Sequence, residues 1–310
     1  MPENPARIAL VGIGKIARDQ HLPALARNRE FALVAAASHR GRVEGIPNFP
    51  DLHTLLAQQV GIDAISFCTP PQGRFAPASA AVAAGLHVML EKPPGATVGE
   101  VLALAEAARQ RRVTLFTAWH SREAAGVEPA RRWLAGRKIR AARITWKEDV
   151  RVWHPGQDWI FATGGLGVFD PAINALSIAT RILPGALVVE AATLHFPQNR
   201  QAPIAASLRL RHAQDAPVHV ELDFLQTGPQ SWDIEVDTDA GTLALAQGGA
   251  TLALDGEEPV VGADSEYPRL YARFRSLIER GESDVDVGPL QLVADACLIG
   301  ERVMVAPFDF

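Results

Sequence analysis

The stretch RIALVGIGKIA, residues 7–17, is the part of the sequence that indicates the fold. Arg7–Val11 form a short apolar run that stops at a glycine, as a strand buried on both faces of a parallel sheet does. Gly12, Gly14 and Ala17 follow in the pattern GxGxxA. The first glycine permits a tight turn, the second lets the main chain approach a pyrophosphate, and the alanine allows close packing of a helix on the strand. The stretch therefore predicts a strand, a phosphate-binding turn and a helix.

The residues that follow, as far as Ala118, alternate helix and strand signals. Further strands are predicted at Phe31–Ala37, Asp63–Cys68, His87–Leu90 and Thr114–Ala118. Helices are predicted between them at Ala17–Arg29, Asp51–Gln59, Pro77–Ala84 and Val98–Arg112. Such alternation forms βαβ units with right-handed crossovers. A glycine pattern by itself is common structural punctuation, but in this context it predicts a Rossmann domain, a doubly wound parallel sheet that binds a dinucleotide.

After about Trp119 the pattern changes from alternating to mostly strand signals. The predicted elements are a helix Ala124–Leu134, a long strand Ile139–Val150, a helix Gly164–Leu183, strand runs through Ala186–Leu254, and helices Tyr267–Arg280 and Pro289–Val303. Turn residues separate the strand runs, which indicates a mainly antiparallel sheet with one packed face. We therefore predict an α/β chain with a Rossmann domain over residues 1–121 and an α+β domain with a large, mainly antiparallel open sheet over residues 122–310.

Composition excludes several classes of protein. The chain has 310 residues, of which 48% are hydrophobic and 21% charged, so a sizeable core forms and wholesale disorder is excluded. Thirty basic against 35 acidic residues give a net charge of −5 without a basic cluster, which argues against a nucleic-acid partner. Cys68 and Cys297 cannot build a disulfide framework, which favours a reducing compartment. No signal peptide and no apolar run of ~18 residues is recognisable, so we expect a cytoplasmic protein without membrane association.

The end of the second predicted strand bears on the choice of cofactor. An NAD site usually has an acidic residue about 20 positions after the glycines to bind the ribose hydroxyls. Ser38, His39 and Arg40 stand there instead, without an acid. A hydroxyl and a guanidinium suit the 2′-phosphate of NADP, whose charge an acid would repel. We predict that NADP is preferred and NAD still used, although a solvated basic turn would have the same composition.

A lysine follows the strand His87–Leu90, in the segment Glu91-Lys92-Pro93-Pro94. The carboxyl end of a parallel strand lies at the crevice where such sheets bind ligands. The proline after the lysine restricts the main chain and is a candidate for a cis peptide bond. Thr69-Pro70-Pro71 ends the preceding strand in a similar way. A surface lysine at a turn is the alternative interpretation.

These features together resemble the Gfo/Idh/MocA oxidoreductases, named after glucose–fructose oxidoreductase and inositol dehydrogenase. The shared features are the GxGxxA turn, Thr69-Pro70, Glu91-Lys92-Pro93 and an antiparallel second domain. More narrowly, four segments are similar to those of the bacterial L-arabinose/D-galactose 1-dehydrogenases: residues 13–24, 89–97, 146–160 and 164–178. The resemblance covers essentially the whole chain. It implies an NAD(P)-dependent enzyme that oxidises an aldose at C1 to the sugar lactone.

The resemblance and the Rossmann pattern together define an expected cofactor site. Its members are Gly12, Gly14, Lys15, Ile16, Ser38, His39, Arg40, Thr69, Pro70, Gln72, Glu91 and Lys92. No metal is expected, because Glu148 and His154 lack further ligands at a recognisable spacing.

Oxidation at C1 removes a hydride from carbon and a proton from the anomeric hydroxyl, so the site needs a base, a group that stabilises the alkoxide, and groups that orient the ring. Asp170 and Asn174 lie four residues apart, on one face of a predicted helix. On spacing alone Asp170 is equally well a capping acid beside Pro171. Related inositol dehydrogenases pair an Asp with a His at this spacing, whereas Asn174 cannot accept a proton. We therefore assign Asp170 as the proton acceptor, Lys92 as the group that stabilises the alkoxide, and Asn174 as a residue that orients the ring.

Other candidate sugar ligands flank the long strand and the ends of neighbouring strands. Glu148 and His154 are candidates for hydroxyl contacts, and Trp153 for contact with the apolar face of the ring. The resemblance adds Trp232 and His120. Packing or a structural hydrogen bond explains Trp153 and His120 equally well.

Two other functions remain open at this point. One is a related polyol or inositol dehydrogenase, against which the absence of a His at position 174 argues. The other is a non-catalytic dinucleotide or sugar sensor on the same fold. A sheet with one uncovered face would expose apolar surface, so we expect a homodimer formed through that face.

Overall fold

The computed structural model describes residues 4–263 and 265–310. The contacts between residues divide the chain into two compact units. The first unit contains the described residues of Met1–His120 together with Glu266–Val287, and the second contains those of Ser121–Ser265 together with Gly288–Phe310. Within the described ranges, none of the helices combines the length and the apolar character that crossing a bilayer requires.

The strands are, in chain order, β1 (Ala6–Val11), β2 (Phe31–Ala37), β3 (Asn48–Phe49), β4 (Ala64–Phe67), β5 (His87–Glu91), β6 (Leu115–Ala118), β7 (Ile139–Lys147), β8 (Leu187–Pro197), β9 (Ala205–His212), β10 (Pro217–Asp223), β11 (Ser231–Thr238), β12 (Gly241–Ala246), β13 (Thr251–Leu254), β14 (Val260–Val261) and β15 (Glu301–Val305). The α-helices are α1 (Leu22–Ala26), α2 (Leu52–Ala57), α3 (Phe75–Ala83), α4 (Val98–Arg111), α5 (Val127–Leu134), α6 (Val150–Trp153), α7 (Phe169–Ile182), α8 (Glu266–Arg280) and α9 (Gly288–Ile299). A π-helical turn covers Ala17–His21, and 3₁₀ turns cover His120–Glu123, Asp158–Phe161 and Gln247–Gly249.

The first unit contains the predicted Rossmann sheet. Its six strands have the order β3-β2-β1-β4-β5-β6, and neighbouring strands pair in parallel. The order reverses beside β1, and in such sheets the crevice at the reversal is where ligands bind. Every residue of β4 and β6 is buried, as the continuous apolar runs predict. The predicted α/β fold class with a doubly wound sheet is confirmed.

Helix α8 belongs to the first unit although it lies late in the chain. Its Phe274 stacks on Phe31 at a centroid distance of 5.6 Å and on Phe116 at 6.1 Å. Tyr271, one turn earlier, meets Phe31 edge-on at 5.8 Å. Such aromatic pairs contribute about 0.5–1.5 kcal/mol each beyond the area that they bury. The predicted division at residues 121/122 assigns α8 to the second domain, whereas these contacts place it with the first unit.

The second unit is built on a nine-stranded sheet with the order β14-β13-β12-β11-β7-β10-β9-β8-β15. Most pairs are antiparallel, as predicted, while β7 pairs with β10 and β8 with β15 in parallel. Helix α5 packs against β12, helix α7 against β7 and β11, and helix α9 against β8. Along β9 buried residues alternate with more exposed ones, among them Arg209 and Arg211, which is typical of a sheet with one covered face.

Several predicted boundaries are wrong. The strand predicted to Val150 ends at Lys147, because the Asp149 side chain accepts a 2.9 Å hydrogen bond from Arg151 N and caps the short helix α6. The helix predicted to Val303 ends at Ile299, and the following residues form β15 beside β8. At Gly300, between the two, a Cβ atom would lie 2.4 Å from Ala296 O, which only glycine tolerates.

The bounds of two further helices also differ from those predicted. Ala17–Arg29 contains a π-helical turn followed by α1, which ends at Ala26. The helix predicted from Gly164 begins at Phe169. Gly167 just before it has φ of +55°, and a Cβ there would lie 2.1 Å from Pro203 O. The glycine-rich segment is therefore a turn that leads into α7.

Candidate active site

The glycine turn after β1 has the geometry that its sequence predicts. Gly12 has φ of +90°, and a Cβ there would lie 2.7 Å from Thr69 Cγ2. Around Gly14, in contrast, a Cβ would meet no described atom within 4 Å. Arg18 N donates to Gly14 O at 3.2 Å, so the helical turn begins at this glycine. The first glycine thus allows β1 and β4 to approach closely, and the second leaves room for a ligand against the main chain.

The loop after β2 is tied to the glycine turn through Ser38. Its Oγ accepts hydrogen bonds from Ile13 N and from Gly41 N, each at 3.2 Å. Gly41 packs so closely that a Cβ there would lie 2.2 Å from Ile13 O. His39 and Arg40 are exposed at the tip of this loop. The hydroxyl predicted to bind phosphate therefore has a structural role in addition, and Arg40 is the charged group of the trio that projects outward.

Thr69, at the end of β4, carries a buried polar atom that is informative about a ligand. Its Oγ1 is inaccessible and has no hydrogen-bond partner among the described residues. Buried hydroxyls are normally bonded, so this atom next to Gly12 fits a site completed by a polar ligand. Pro70 and Gln72 follow it and are exposed, as is Lys15 on the first helical turn. Ile16, half-buried, packs against the core of the unit.

Arg74 joins the loops after β4 and β5. Although it is only 2% exposed, its guanidinium donates to the main-chain carbonyls of Thr69 and Glu91, and at 2.6 Å to that of Pro93. Burial lowers the pKa of Arg74 to about 10, and the nearby charge of Glu91 opposes this shift. The residue therefore remains charged and holds two predicted site loops together.

The segment Glu91-Lys92-Pro93 turns its first residue inward. Glu91 is 3% exposed; its Oε1 contacts His21 Nε2 at 3.0 Å and accepts a hydrogen bond from Tyr267 Oη at 2.8 Å. Its Oε2 accepts a hydrogen bond from Lys92 N at 2.9 Å. Lys92 itself is half-buried, and the Lys92–Pro93 peptide is cis. Of the two charged residues in this motif, Glu91 faces the interior of the unit.

His120 follows β6 and contacts α8. Its Nδ1 lies 2.6 Å from Glu266 Oε2, and its ring stacks on Tyr267 at a centroid distance of 5.5 Å. The imidazole is thus oriented by a carboxylate and an aromatic ring, in the way that functional histidines commonly are.

In the second unit, α7 carries Asp170 and Asn174 one turn apart. Asp170 lies in the first turn and is 5% exposed, and Pro171 follows it. From Phe169 to Ala179, Asn174 is the one residue that is not buried. Acidic side chains are common at this position of a helix, whose N-terminus carries a partial positive charge. The four-residue spacing therefore places an acid and an amide on the same side of the helix, as the sequence predicts.

Glu148 and the aromatic residues form a compact group in the same unit. Glu148 Oε2 accepts a hydrogen bond from Trp232 Nε1 at 2.8 Å, and Glu148 Oε1 lies 3.3 Å from His154 Nε2. Trp153 is 40% exposed and packs against Trp232 at a centroid distance of 4.8 Å. Trp146 pairs with Trp232 across β7 and β11. The structure thus gathers four of the predicted sugar ligands, with Glu148 buried beneath the others.

No cluster of three or more His, Cys, Asp or Glu side chains suitable for a metal ion occurs in residues 4–263 and 265–310.

Comparison with known proteins is consistent with this geometry. Residues 6–119 match the family model of the Gfo/Idh/MocA proteins, described as an oxidoreductase family with an NAD-binding Rossmann fold. The galactose 1-dehydrogenase of Pseudomonas fluorescens is 46% identical over 316 residues, which cover 98% of this chain and 99% of the relative. The chain belongs to the Gfo/Idh/MocA oxidoreductase family. It is accordingly an enzyme that binds a nicotinamide dinucleotide in its Rossmann unit.

Solved structures extend the comparison for this oxidoreductase. The crystal structure of a D-galactose-1-dehydrogenase protein from Rhizobium etli has a TM-score of 0.94 at 51% identity and covers 100% of this chain and 99% of that one. A 3-ketoreductase from Actinomadura kijaniata, in complex with TDP-benzene and NADP, has a TM-score of 0.81 at 18% identity, over 97% of this chain and 100% of that one. The second likeness shows the fold alone.

Sequence reasoning about the oxidoreductase missed Arg74, His21 and Tyr267. Arg74 and Tyr267 lie outside the motifs named above, His21 lies in the segment 13–24 without an assigned role, and each acquires its partners from distant segments of the chain. A weak signal exists for two of them. His21 is a polar residue within an otherwise apolar helix face, and Tyr267 stands four residues before Tyr271, a spacing that puts both phenols on one side of a helix.

Proposed function

We propose that this oxidoreductase is an aldose 1-dehydrogenase that oxidises D-galactose, L-arabinose or both at C1 and transfers the hydride to NADP⁺ or NAD⁺. The observation that carries the proposal is the 46% identity to a galactose 1-dehydrogenase over 98% of the chain. The motifs that resemble this group of enzymes lie in both units, so the similarity is not limited to the Rossmann fold.

The residues of the first unit fit a dinucleotide. The open space at Gly14 supplies room for it, and the buried Oγ1 of Thr69, which has no partner within residues 4–263 and 265–310, supplies a polar contact. Arg40 would bind the 2′-phosphate of NADP, and the end of β2 has no acidic side chain to repel that phosphate. A bound nicotinamide would supply the acceptor for the hydride that leaves C1 of the sugar. NADP is therefore proposed as the preferred cofactor, with NAD as a second one.

In the proposed reaction the C1–H bond breaks with its electron pair, and the anomeric hydroxyl loses its proton as the carbonyl of the lactone forms. Asp170, in the first turn of α7, accepts that proton as the general base. The ammonium of Lys92 stabilises the developing alkoxide. Asn174, which cannot take a proton, orients the ring by hydrogen bonds.

The sugar-binding part of the proposal rests on the group around Glu148. Trp153 and Trp232 offer ring faces to the C–H surface of a sugar, and His154 offers a donor or acceptor for a hydroxyl. His120 is a further candidate from the first unit. The two sugars differ chiefly in the hydroxymethyl group at C5. A pocket that is large enough for this group accepts both sugars.

A spectrophotometric panel tests this function directly. The purified chain is incubated with NADP⁺ or NAD⁺ and with galactose, arabinose, glucose, myo-inositol or no sugar, and absorbance of the reduced nucleotide is followed. We expect galactose and arabinose to give the highest kcat/KM, with lactone as the product. Turnover of inositol alone would favour a polyol dehydrogenase. Binding of nucleotide and sugar without turnover of any compound would favour a sensor.

A homodimer through the uncovered face of the second unit's sheet is also proposed. Exposed polar side chains form a row across neighbouring strands there, with Arg209, His219, Arg143 and Glu235 in register. The face is thus charged rather than apolar, and its pairing would rely on complementary charges instead of the apolar burial expected from the sequence. Sedimentation at micromolar concentration should show twice the 33.3 kDa mass of one chain, and a single monomeric species would contradict the proposal. A cytoplasmic location, for which the two free cysteines are the support, remains a prediction.

A further inference from the structure

A cluster of buried titratable side chains lies within the first unit, next to the main chain of Lys92. His21 is fully buried and Glu91 is 3% exposed, and His21 Nε2 lies 3.0 Å from Glu91 Oε1. Tyr267 Oη donates to the same oxygen at 2.8 Å, and Tyr271 Oη lies 2.7 Å from His21 Nδ1. The proposed reaction assigns no role to these side chains.

The surroundings of the central pair favour the charged form of each member in spite of their burial. Burial raises the pKa of Glu91, but the hydrogen bond and the charge of His21 lower it to about 2. Burial also opposes the charge on His21, but Cys68, Tyr271 and Glu91 together raise the pKa of His21 well above its usual value. Both directions favour an imidazolium beside a carboxylate, and the two ring N–H groups of an imidazolium match the contacts that His21 makes with Glu91 and Tyr271.

Titratable and charged groups face this pair from each element packed around it. They are Cys68 after β4, Arg74 before α3, His120 after β6, and Tyr267 and Tyr271 on α8, while Glu266 acts on Tyr267 and His120. Burial raises the pKa of Tyr271 to about 12 and that of Tyr267 well above its usual value, so both phenols are neutral near pH 7. Arg74 is the second cation near Glu91, and it is turned toward main-chain carbonyls.

The pair acts on the main chain of the lysine from one side while Arg74 acts from the other. Glu91 Oε2 accepts a hydrogen bond from Lys92 N at 2.9 Å. Arg74 Nη1 donates to the carbonyls of Glu91 and, at 2.6 Å, of Pro93. The peptide group before Lys92 is thus held by buried charged groups at both its N–H and its C=O, and Arg74 also holds the carbonyl of Pro93, the next residue. The starting direction of the lysine side chain depends on this main chain.

We propose that Glu91 and His21 are a positioning pair: the buried carboxylate, balanced by the imidazolium, holds the main chain of Lys92 so that its ammonium has the orientation that catalysis requires. The pair also ties β5 to the helical turn that follows the glycine turn, and to α8. The inference rests on the proposed function in so far as Lys92 acts on the sugar hydroxyl.

The experiment compares four variants with the wild-type chain: Glu91→Gln, His21→Gln, the double variant, and Phe274→Leu as a matched control. Phe274 packs α8 on the same sheet without a polar contact, so its substitution reports a loss of packing alone. For each protein we measure Tm, the dissociation constant for NADPH by fluorescence, and kcat and sugar KM from pH 5 to pH 9. Hydrogen exchange at the Lys92 amide is measured by NMR in parallel.

We expect Glu91→Gln to lower kcat by about 10- to 100-fold at every pH, with sugar KM changed by less than about 2-fold, because a small displacement of a catalytic group costs this much. In His21→Gln the carboxylate loses its cation, and burial then raises the pKa of Glu91 toward the measured range. Its kcat should fall toward low pH along a new acid limb. This limb should be absent from the double variant, whose kcat should equal that of Glu91→Gln. An acid limb that persists in the double variant would belong to another group and is distinguished in this way.

A purely structural pair would have different consequences. If Glu91→Gln and His21→Gln lowered Tm as Phe274→Leu does, while kcat and its pH profile stayed those of the wild type, the proposal would be overturned. The amide exchange separates this failure from a failure of the proposed function. If the wild-type chain oxidises no aldose, faster exchange of the Lys92 amide in Glu91→Gln, but not in Phe274→Leu, would still support the positioning of the main chain. Unchanged exchange would overturn it.

Discussion

Trp232 Nε1 donates a 2.8 Å hydrogen bond to the carboxylate of Glu148, which is 3% exposed. The second oxygen of the same carboxylate lies 3.3 Å from His154 Nε2. Glu148 thereby orients an indole that packs on Trp153 and an imidazole beside it. Both oxygens of the acid are in contact with these neighbours, so in the proposed sugar site Glu148 would act on the sugar through them.

We expect Glu148→Gln to raise the sugar KM by roughly 10-fold, because an amide offers one acceptor oxygen where the carboxylate offers two, and either the indole or the imidazole loses its partner. The kcat and the KM for nucleotide should stay within about 2-fold of the wild type. Steady-state kinetics with galactose measure this. Glu221→Gln, which makes the same chemical change at a side chain bonded to Ser207, is the control. A loss of kcat without a change in sugar KM would instead place Glu148 in the chemical step.

Replacing the proposed base should affect the chemical step. Asp170→Asn keeps the shape of the side chain at the start of α7 and removes its ability to accept a proton, so kcat should fall about 10²- to 10⁴-fold. The dissociation constant for NADPH, measured by fluorescence, should not change. Asn174→Ala is the comparison: it should raise the sugar KM while kcat falls by less than about 10-fold. An effect of Asp170→Asn that is confined to KM would show that Asp170 binds the sugar without taking its proton.

The two candidate NADP ligands after β2 should behave differently from each other. Arg40→Ala removes an exposed guanidinium, so the KM for NADP should rise by about 10-fold and the KM for NAD by less than about 2-fold. Ser38→Ala removes the acceptor of the Ile13 and Gly41 N–H groups, so it should raise both KM values and lower Tm. The exposed Arg42→Ala serves as the control on the same turn. If Arg40→Ala raised the KM for NADP and the KM for NAD equally, the argument that Arg40 makes NADP the preferred cofactor would be lost.

Stability at low pH should depend on Glu91. Its pKa is about 2 in the folded chain against an ordinary value of 4.5, so its contribution is complete above pH 4.5 and is lost as the pH falls toward 2. The contribution of His21 to stability depends on pH in the opposite direction, because its pKa is raised on folding. This contribution is complete below pH 6.5 and is lost as the pH rises through the pKa of His21 in the folded chain. We expect Tm of the wild type to fall between pH 4.5 and pH 2 and Tm of Glu91→Gln to change less across that range.

Glu106→Gln is the control for this measurement. Burial is negligible at Glu106, and its hydrogen bonds to Arg109 lower the pKa to about 2. Solvent screens such an exposed pair, so its substitution should alter the slope of Tm with pH only slightly, and less at high salt. Parallel Tm curves for the wild type and Glu91→Gln would contradict the assignment of a buried ion pair.

The parts of the fold that local pattern predicts are those that depend on neighbours in the chain. Phe31–Ala37 is a strand with the predicted bounds, and the glycine turn at Gly12 and Gly14 has the predicted geometry. Lys92 was predicted at the end of a parallel strand and lies at the end of β5. Apolar period, glycine conformation and turn chemistry act over a few residues, so each of these features is visible in a short window of sequence.

The direction in which a site side chain faces could not be predicted from a short window of sequence. Glu91 and Glu148 were both predicted as ligands of bound molecules, and both are buried against partners: His21 and Tyr267 for the first, Trp232 for the second. The roles of these acids toward a ligand are still to be tested. A motif indicates that a carboxylate stands at a strand end, but the side of the strand to which it turns depends on which donors the fold brings there.

Alternating elements, the GxGxxA turn and the acid–amide spacing at Asp170 were thus sufficient for the Rossmann fold and for a candidate set of reactive groups. The partnership of α8 with the first unit, the pairing of β15 with β8 and the interior bonds of Glu91 required the folded chain. The reason is physical: backbone periodicity is a property of neighbouring residues, whereas the burial and charge of a side chain are set by groups that folding brings from far along the chain.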